Sequence, residues 1–470
     1  MAYTHYERLS ALDSAILEVE DASVHMHMGS VAIFEAAPLM RDGQGLDIDR
    51  ILAFSDAALQ KNPRFRQRIA YIPRLHHPVW VDDEKFNLAY HVRHVALPAP
   101  GDDRRLKRLA GRLMSQQLDR GKPLWEMWFV EGVQGGRFAV ISKVHHAMAD
   151  GIAGADLFSA LMGPDPDHVP EPRGRWIPRP APSGGRLILD EVSRRATASL
   201  SLLRPGCGLG HLSVRDAVAG VRQAVSAGFA AGGTQTPLNT AIGPHRRFDW
   251  ARFDENAVRE VGELLGATAD EVVLATVAGA VRAFLRGRGI RVEALDFEAL
   301  VPVSLRGEEE RGPVGRRISS LLARLPLDEA DPRVRLQRVI ESVTELEESR
   351  PIVGGPAITG VADTLVPALV MQLARIAARG SGANLVVTNL RGPRQTVYLL
   401  GAPLREVYPV VPLAPTHALA IALFSYAGTL FWGFNSDWDE LPDLHDFVSA
   451  IESEFQALQE AAGNESVAAG

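Results

Sequence analysis

The 470-residue sequence predicts a two-lobed α/β (or α+β) fold. Three observations carry this. Stretches with helical spacing of apolar residues interchange with alternating ones along both halves of the chain. A proline-dense break separates the halves, with seven of the nineteen residues from Pro164 to Pro182 being proline, a density that excludes regular helix and central strand. The composition, 46% hydrophobic and 23% charged, suits a chain with a large core. The division that follows is 1–162, a Pro-rich and amphipathic linker over 163–235, and 236–470.

Element by element, AILEVED closes an opening helix and HMHMGSVAIFE alternates into a strand. IDRILAFSDAALQKNP reads as a helix that stops before Pro63, and WVDD and YHVRHVALP read as extended. DRRLKRLAGRLMSQQLD is the clearest amphipathic helix, with Leu106, Leu109, Leu113 and Leu118 on one side. WEMWFVEGV and RFAVISKV form a strand pair around Gly135-Gly136, and IAGADLFSALM follows as a helix. Past the break, residues 186–233 read as amphipathic helices in a long connection. ADEVVLATVAGAVRAFLRGRG is a helix ending in glycine. ALDFEALVPVSL and GANLVVTNL are strands, and LHDFVSAIESEFQALQEA is the last helix.

Composition excludes several classes. A net charge of −7 argues against a nucleic-acid binder. The single cysteine, Cys207, forms no internal disulfide and no cysteine zinc cluster. The N-terminus lacks a signal-peptide core, so a cytoplasmic location is expected. Residues Val407 to Ser436 contain no Asp, Glu, Lys or Arg, yet Pro409, Pro412, Pro415 and His417 interrupt them. HALAIALFSY and TLFWGFNS around Ala427-Gly428 read as a β-hairpin, not a membrane span.

The sharpest chemical feature is His145-His146-Ala147-Met148-Ala149-Asp150-Gly151, at a strand end that opens into a helix. Such positions carry reacting groups in α/β proteins, and a histidine there can serve as general base. Asp150 can fold back over the turn, and Gly151 permits close backbone approach. Adjacent histidines on a strand diverge, which disfavours a shared metal ion, so no metal site is expected. A second pair, His76-His77, with His25 and His27, keeps a purely structural reading of such pairs open.

HHAMADG resembles the HHxxxDG motif of the CoA-dependent acyltransferase superfamily, which includes chloramphenicol acetyltransferase-like enzymes and peptide-synthetase condensation domains. LSALDSAILEVED, HMHMGSVAIFE, PRFRQRI, VWVDD, RGKPLWEMWFVEG, PLNTAIGPHRRF, VPVSLRG, VVTNLRGP and VYPVVPL resemble the bacterial wax ester synthase/diacylglycerol acyltransferase family, over nearly the whole chain outside 163–235. The resemblance implies a chloramphenicol acetyltransferase-like fold with an active-site tunnel between the lobes. It implies His146 as general base, His145 as its supporting neighbour, and Asp150 paired with Arg306, although Arg306 also fits a solvated strand end. Pro123-Leu124-Trp125 matches the family's PLW motif, which fits either the mouth of an acyl tunnel or a turn with a core tryptophan. Asn389, in NLRGP, stands where the family has NVPGP, and could equally end a strand at a turn.

Two departures stand out. Asp270-Glu271 replaces the family's Asn-Asp pair, and Gly315-Arg316-Arg317 replaces its GNR motif. Asp for Asn exchanges an amide donor for an acceptor. The implied substrates are acyl-CoA with diacylglycerol or a fatty alcohol, without a cofactor, and the implied partner is a membrane or lipid-droplet surface. Alternatives are a related acyltransferase with another acceptor, or a weakly active lipid-binding member.

Overall fold

The computed structural model describes residues 6–41, 45–60, 62–148, 161–168, 176–202, 234–304, 318–349 and 383–468. In chain order the strands are β1 (Tyr6–Arg8), β2 (His27–Glu35), β3 (Gln67–Tyr71), β4 (Pro78–Asp82), β5 (Val92–Ala96), β6 (Trp125–Val133), β7 (Arg137–His145) and β8 (Arg246–Asp254). They continue as β9 (Phe297–Ser304), β10 (Ile318–Leu325), β11 (Leu385–Arg391), β12 (Tyr398–Leu399), β13 (Ala402–Val410), β14 (Leu419–Tyr426) and β15 (Thr429–Asp437). The helices are α1 (Ala11–Val19), α2 (Ile48–Leu59), α3 (Leu88–His91), α4 (Asp103–Met114), α5 (Gly184–Leu202), α6 (Glu255–Leu265), α7 (Ala269–Gly287), α8 (Pro332–Ser349) and α9 (Leu444–Ala468).

Two six-stranded sheets define the lobes. The first has the order β12-β13-β2-β7-β6-β5, the second β10-β9-β11-β14-β15-β8, and a three-stranded sheet β1-β4-β3 stands apart. The two hairpins expected from sequence are present: β6 and β7 turn at Gly135 and Gly136, and β14 and β15 at Ala427 and Gly428. Gly135, Gly136, Ala427 and Gly428 all have positive φ; Ala427-Gly428 is a two-residue turn of the kind that requires it, and Gly135-Gly136 close a three-residue loop begun by Gln134. The charge-free stretch from Val407 thus runs through the end of β13 and a connection into β14 and β15, which pair along their length.

α4 forms as expected, with Asp102 capping it through the Arg105 N–H and Leu106, Leu109 and Leu113 buried. It ends at Met114, short of the predicted Asp119. The Ser115 hydroxyl donates to Gly111 O at 2.7 Å and accepts the Arg246 N–H at 2.8 Å, closing the helix against β8. Leu118 stays buried outside it. The predicted helix over 152–162 lies outside the described residues except at its end, as do 203–233 of the connection, including Cys207. α5 realises the earlier part. Leu187 and Ile188 pack on Ile72, Val79 and Val81, and buried Glu191 pairs with Arg8 and Arg194 at 2.9 Å each.

The chain does not keep its halves apart. β13 lies well inside the segment expected to build the C-terminal lobe, yet it pairs antiparallel with β2 and completes the first sheet. From there it packs on β14 and β15. The approach is close: a Cβ on Gly433 would stand 1.8 Å from Pro409 O. Trp250 of β8 stacks on Tyr408 at 4.5 Å, and Asn435 donates its amide to Val411 O at 2.8 Å. Beside this seam Val24, Ile242, Leu413 and Ala420 form a small apolar cluster with Met26 and Val411, drawn from both lobes.

Candidate active site

β7 delivers the two histidines to this seam. Its last residue, His145, is fully buried and registers with His27 of β2. The His145 N–H donates to Leu124 O at 2.9 Å. His146 then opens a short 3-10 turn, His146–Met148, and its own N–H donates to Met26 O at 2.7 Å. The strand ends between the two histidines, His145 closing β7 and His146 opening the turn.

His145 looks into a buried polar cluster. Its Nδ1 accepts the Ala147 N–H at 3.0 Å, and its Nε2 lies 3.4 Å from Glu20 Oε2. Glu20 Oε1 is 3.4 Å from His27 Nε2, and Arg120 donates to Glu20 Oε2 through Nε at 3.0 Å and Nη2 at 2.8 Å. His25, His27 and His145 stand in a row, with ring centroids 5.6 and 6.1 Å apart. Among the described residues no three His, Cys, Asp or Glu side chains converge as a metal-ligand set.

The electrostatics follow from burial. Burial pushes the His27 imidazole down to about 4 despite the neighbouring carboxylate. Burial alone would raise the Glu20 carboxyl, but His145, His27 and Arg120 outweigh it and hold the group well below the usual range. His146 is half-buried, and burial, ahead of the neighbouring His145 ring, lowers its pKa against a backbone hydrogen bond that raises it. A half-buried imidazole kept neutral beside an apolar seam can accept a proton from a hydroxyl.

The other sequence candidates are placed as follows. Leu124, through its carbonyl, ends β7, and Trp125 is wholly buried, donating Nε1–H to Phe65 O at 2.8 Å and stacking on His91 at 4.6 Å. Pro123-Leu124-Trp125 therefore braces the strand that carries His145, with the tryptophan ring in the core. Asp270 and Asn389 come together: Asn389 Nδ2 at the end of β11 donates to Asp270 Oδ1 at the start of α7, at 2.7 Å. Glu271 closes a capping box, its Oε2 accepting from Thr268 N at 2.6 Å and Thr268 Oγ1 at 2.8 Å. Both departures from the Asn-Asp pair thus have local partners. Asp150, Gly151, Arg306 and Gly315-Arg316-Arg317 lie outside the described residues. Sequence reasoning missed Glu20, Arg120 and Met26. Glu20 and Arg120 are a hundred positions apart, and only the fold joins them.

A two-lobed fold with a paired histidine at a strand end on the lobe seam defines the chloramphenicol acetyltransferase-like acyltransferase class. The chain is similar in structure to the wax ester synthase/diacylglycerol acyltransferase from Marinobacter aquaeolei VT8, with a TM-score of 0.68, 26% identity, and coverage of 97% of this chain and 100% of that one. The first condensation domain of the calcium-dependent antibiotic synthetase shares the fold at a TM-score of 0.55 and 16% identity, covering 97% and 96% of the two chains. A Mycobacterium tuberculosis protein with the provisional name diacylglycerol O-acyltransferase is 32% identical over 467 residues, 97% of each chain. Residues 9–273 match the wax ester synthase/diacylglycerol acyltransferase catalytic domain and 314–459 the WS/DGAT C-terminal domain. The chain belongs to the wax ester synthase/diacylglycerol acyltransferase family.

Proposed function

We propose that this protein transfers a long-chain acyl group from acyl-CoA to 1,2-diacylglycerol, releasing CoA, and that fatty alcohols serve as a second acceptor. The observation that carries the reading is His146, half-buried and held neutral, on a turn anchored to Met26 at the apolar seam of the lobes. His146 takes the proton of the acceptor hydroxyl as that oxygen attacks the thioester carbonyl. The tetrahedral intermediate collapses, and the departing CoA sulfur recovers the proton from His146. Such base catalysis contributes about 10²–10⁴-fold. Acyl-CoA is a substrate, and no step calls for a cofactor or metal. Incubation with long-chain acyl-CoA and a mixture of acceptors, with products read by mass spectrometry, tests the reading. Triacylglycerol in the parent and none in His146→Ala supports it, and CoA release without a lipid ester refutes it.

These acceptors reside in bilayers and droplets, so the same reading places the protein in the cytoplasm, docking reversibly on a lipid surface. Support comes from α5, whose outer face leaves Leu189 71% and Val192 57% exposed beside half-exposed Arg186. Leu200, Leu202 and Leu203 carry the apolar pattern onward, with side chains outside the described residues. No single described helix is long and apolar enough to cross a membrane. The bent pair α6–α7 passes by length and composition, but α7 buries its apolar residues in the second lobe. In liposome flotation, replacing Leu189 and Val192 with Ser is expected to abolish association with anionic vesicles. Unchanged flotation refutes this contact.

A further inference from the structure

We propose that Glu20 is a positioning residue for the proton-accepting turn, an inference that rests on the reading of His146 as base. Three observations meet here. The Ala147 N–H donates to His145 Nδ1, so that nitrogen carries a lone pair and the ring hydrogen of neutral His145 belongs to Nε2. His145 Nε2 faces Glu20 Oε2 at 3.4 Å, inside a cluster where both side chains are almost wholly buried. Arg120 in turn neutralises the carboxylate through two hydrogen bonds to that same oxygen and donates to Leu17 O at 2.6 Å, tying the cluster to α1.

The consequence is a chain of fixed contacts that ends at His146. Arg120 sets the carboxylate, the carboxylate selects the His145 tautomer, and His145 Nδ1 captures the first free N–H of the turn. His146 sits between that anchor and its own N–H bond to Met26 O. Without Glu20 the opposite tautomer becomes available. That tautomer places a hydrogen on Nδ1 against the Ala147 N–H, and the turn loses its anchor. Glu20 touches no reacting atom in this scheme. It acts through the placement of His146, where a displacement of about 1 Å is worth on the order of 10²-fold in rate.

Glu20→Ala and Glu20→Gln in the full-length protein test this with two readouts. The first is the split of kcat from KM for acyl-CoA with diacylglycerol. The expected result is a kcat about 100-fold lower in Glu20→Ala, with KM within about twofold of the parent. Glu20→Gln keeps an oxygen facing His145 Nε2 and is expected to recover much of the loss. The second readout is amide hydrogen exchange over residues 141–148, expected to accelerate at the His146–Met148 turn without a general loss of protection. A kcat within about threefold of the parent in Glu20→Ala, or unchanged exchange at the turn, overturns the proposal. Should Glu20→Ala fail to fold, the same two criteria are read on Glu20→Leu, which fills the space of the side chain and offers no oxygen to His145 Nε2. A parent without acyl transfer defeats the functional reading, whereas the exchange measurement still decides the role of Glu20.

Discussion

Replacing Gly433 with alanine tests the closeness of the two lobes. An added Cβ would meet Pro409 O at 1.8 Å, its carbonyl carbon at 3.0 Å and Phe248 at 3.4 Å. The first contact is backbone, so no side chain can turn aside, and reaching a 3.0 Å separation moves β13 and β15 apart by at least about 1.2 Å (3.0 − 1.8). Overpacking of this kind costs about 1–3 kcal/mol, and a rigid backbone obstacle belongs at the upper end. At about 2–4 °C per kcal/mol for a domain of this scale, the melting temperature is expected to fall by roughly 5–10 °C. Turnover should fall with it, because β13 continues into Val411, which packs on the same apolar cluster as Met26, whose carbonyl accepts the His146 N–H. Gly136→Ala is the control: φ there is +69° and nothing lies within 4 Å, so only about 1 kcal/mol of backbone strain is expected. A Gly433→Ala protein that melts within 2 °C of the parent refutes the packing argument, the 2 °C being roughly the effect of under 1 kcal/mol.

His146→Ala is expected to remove most CoA release while the circular dichroism melt stays cooperative, and His145→Ala to cost less turnover. Near-parental turnover in His146→Ala would show that the base lies elsewhere. The pH profile of kcat/KM gives a third check. Burial, ahead of the neighbouring His145 ring, depresses the His146 pKa, and the base works when deprotonated. Activity should therefore persist as pH falls through about 6.5, the ordinary imidazole value, and disappear only below it. An acidic limb above that value contradicts the assignment. Asp270→Asn keeps an oxygen for Asn389 Nδ2, so its melting temperature should match the parent, whereas Asp270→Leu leaves that amide without its acceptor and should lower turnover. Equal behaviour of the two variants argues that the pair is incidental.

Much of the fold is legible because local chemistry writes it. The α4 stripe of leucines, the Gly135-Gly136 turn and the Ala427-Gly428 turn each specify their element within a dozen residues. Helix ends are less legible, since Ser115 stops α4 through a partner on β8. The fate of β13 is hidden for a related reason. Proline within a run argues against a central strand, and Pro409 sits in the middle of the expected lobe. Pro409 is tolerated because β12 pairs only with Ala402 and Pro403, so among the described residues no strand covers its far side. At the site, HHxxxDG points to His146 without help from the fold. The carboxylate behind it stays invisible in sequence, because an acidic residue after a helix resembles any solvated one until Arg120 and His145 are brought against it.

The crossing of β13 also bears on how the chain assembles. Phe34 and Leu404 are neighbours in one sheet although 370 positions (404 − 34) separate them along the chain. A ribosome emits β2 long before its partner exists, and domains generally fold from the N-terminus as they emerge. Until residue 410 has left the exit tunnel, one whole edge of β2 offers unpaired N–H and C=O groups, the kind of edge that invites pairing with another chain. The first lobe is therefore expected not to fold as an autonomous unit. Its sheet is sealed by a late-arriving strand, so a protein cut after the first lobe carries a permanently open edge and is expected to aggregate when expressed alone.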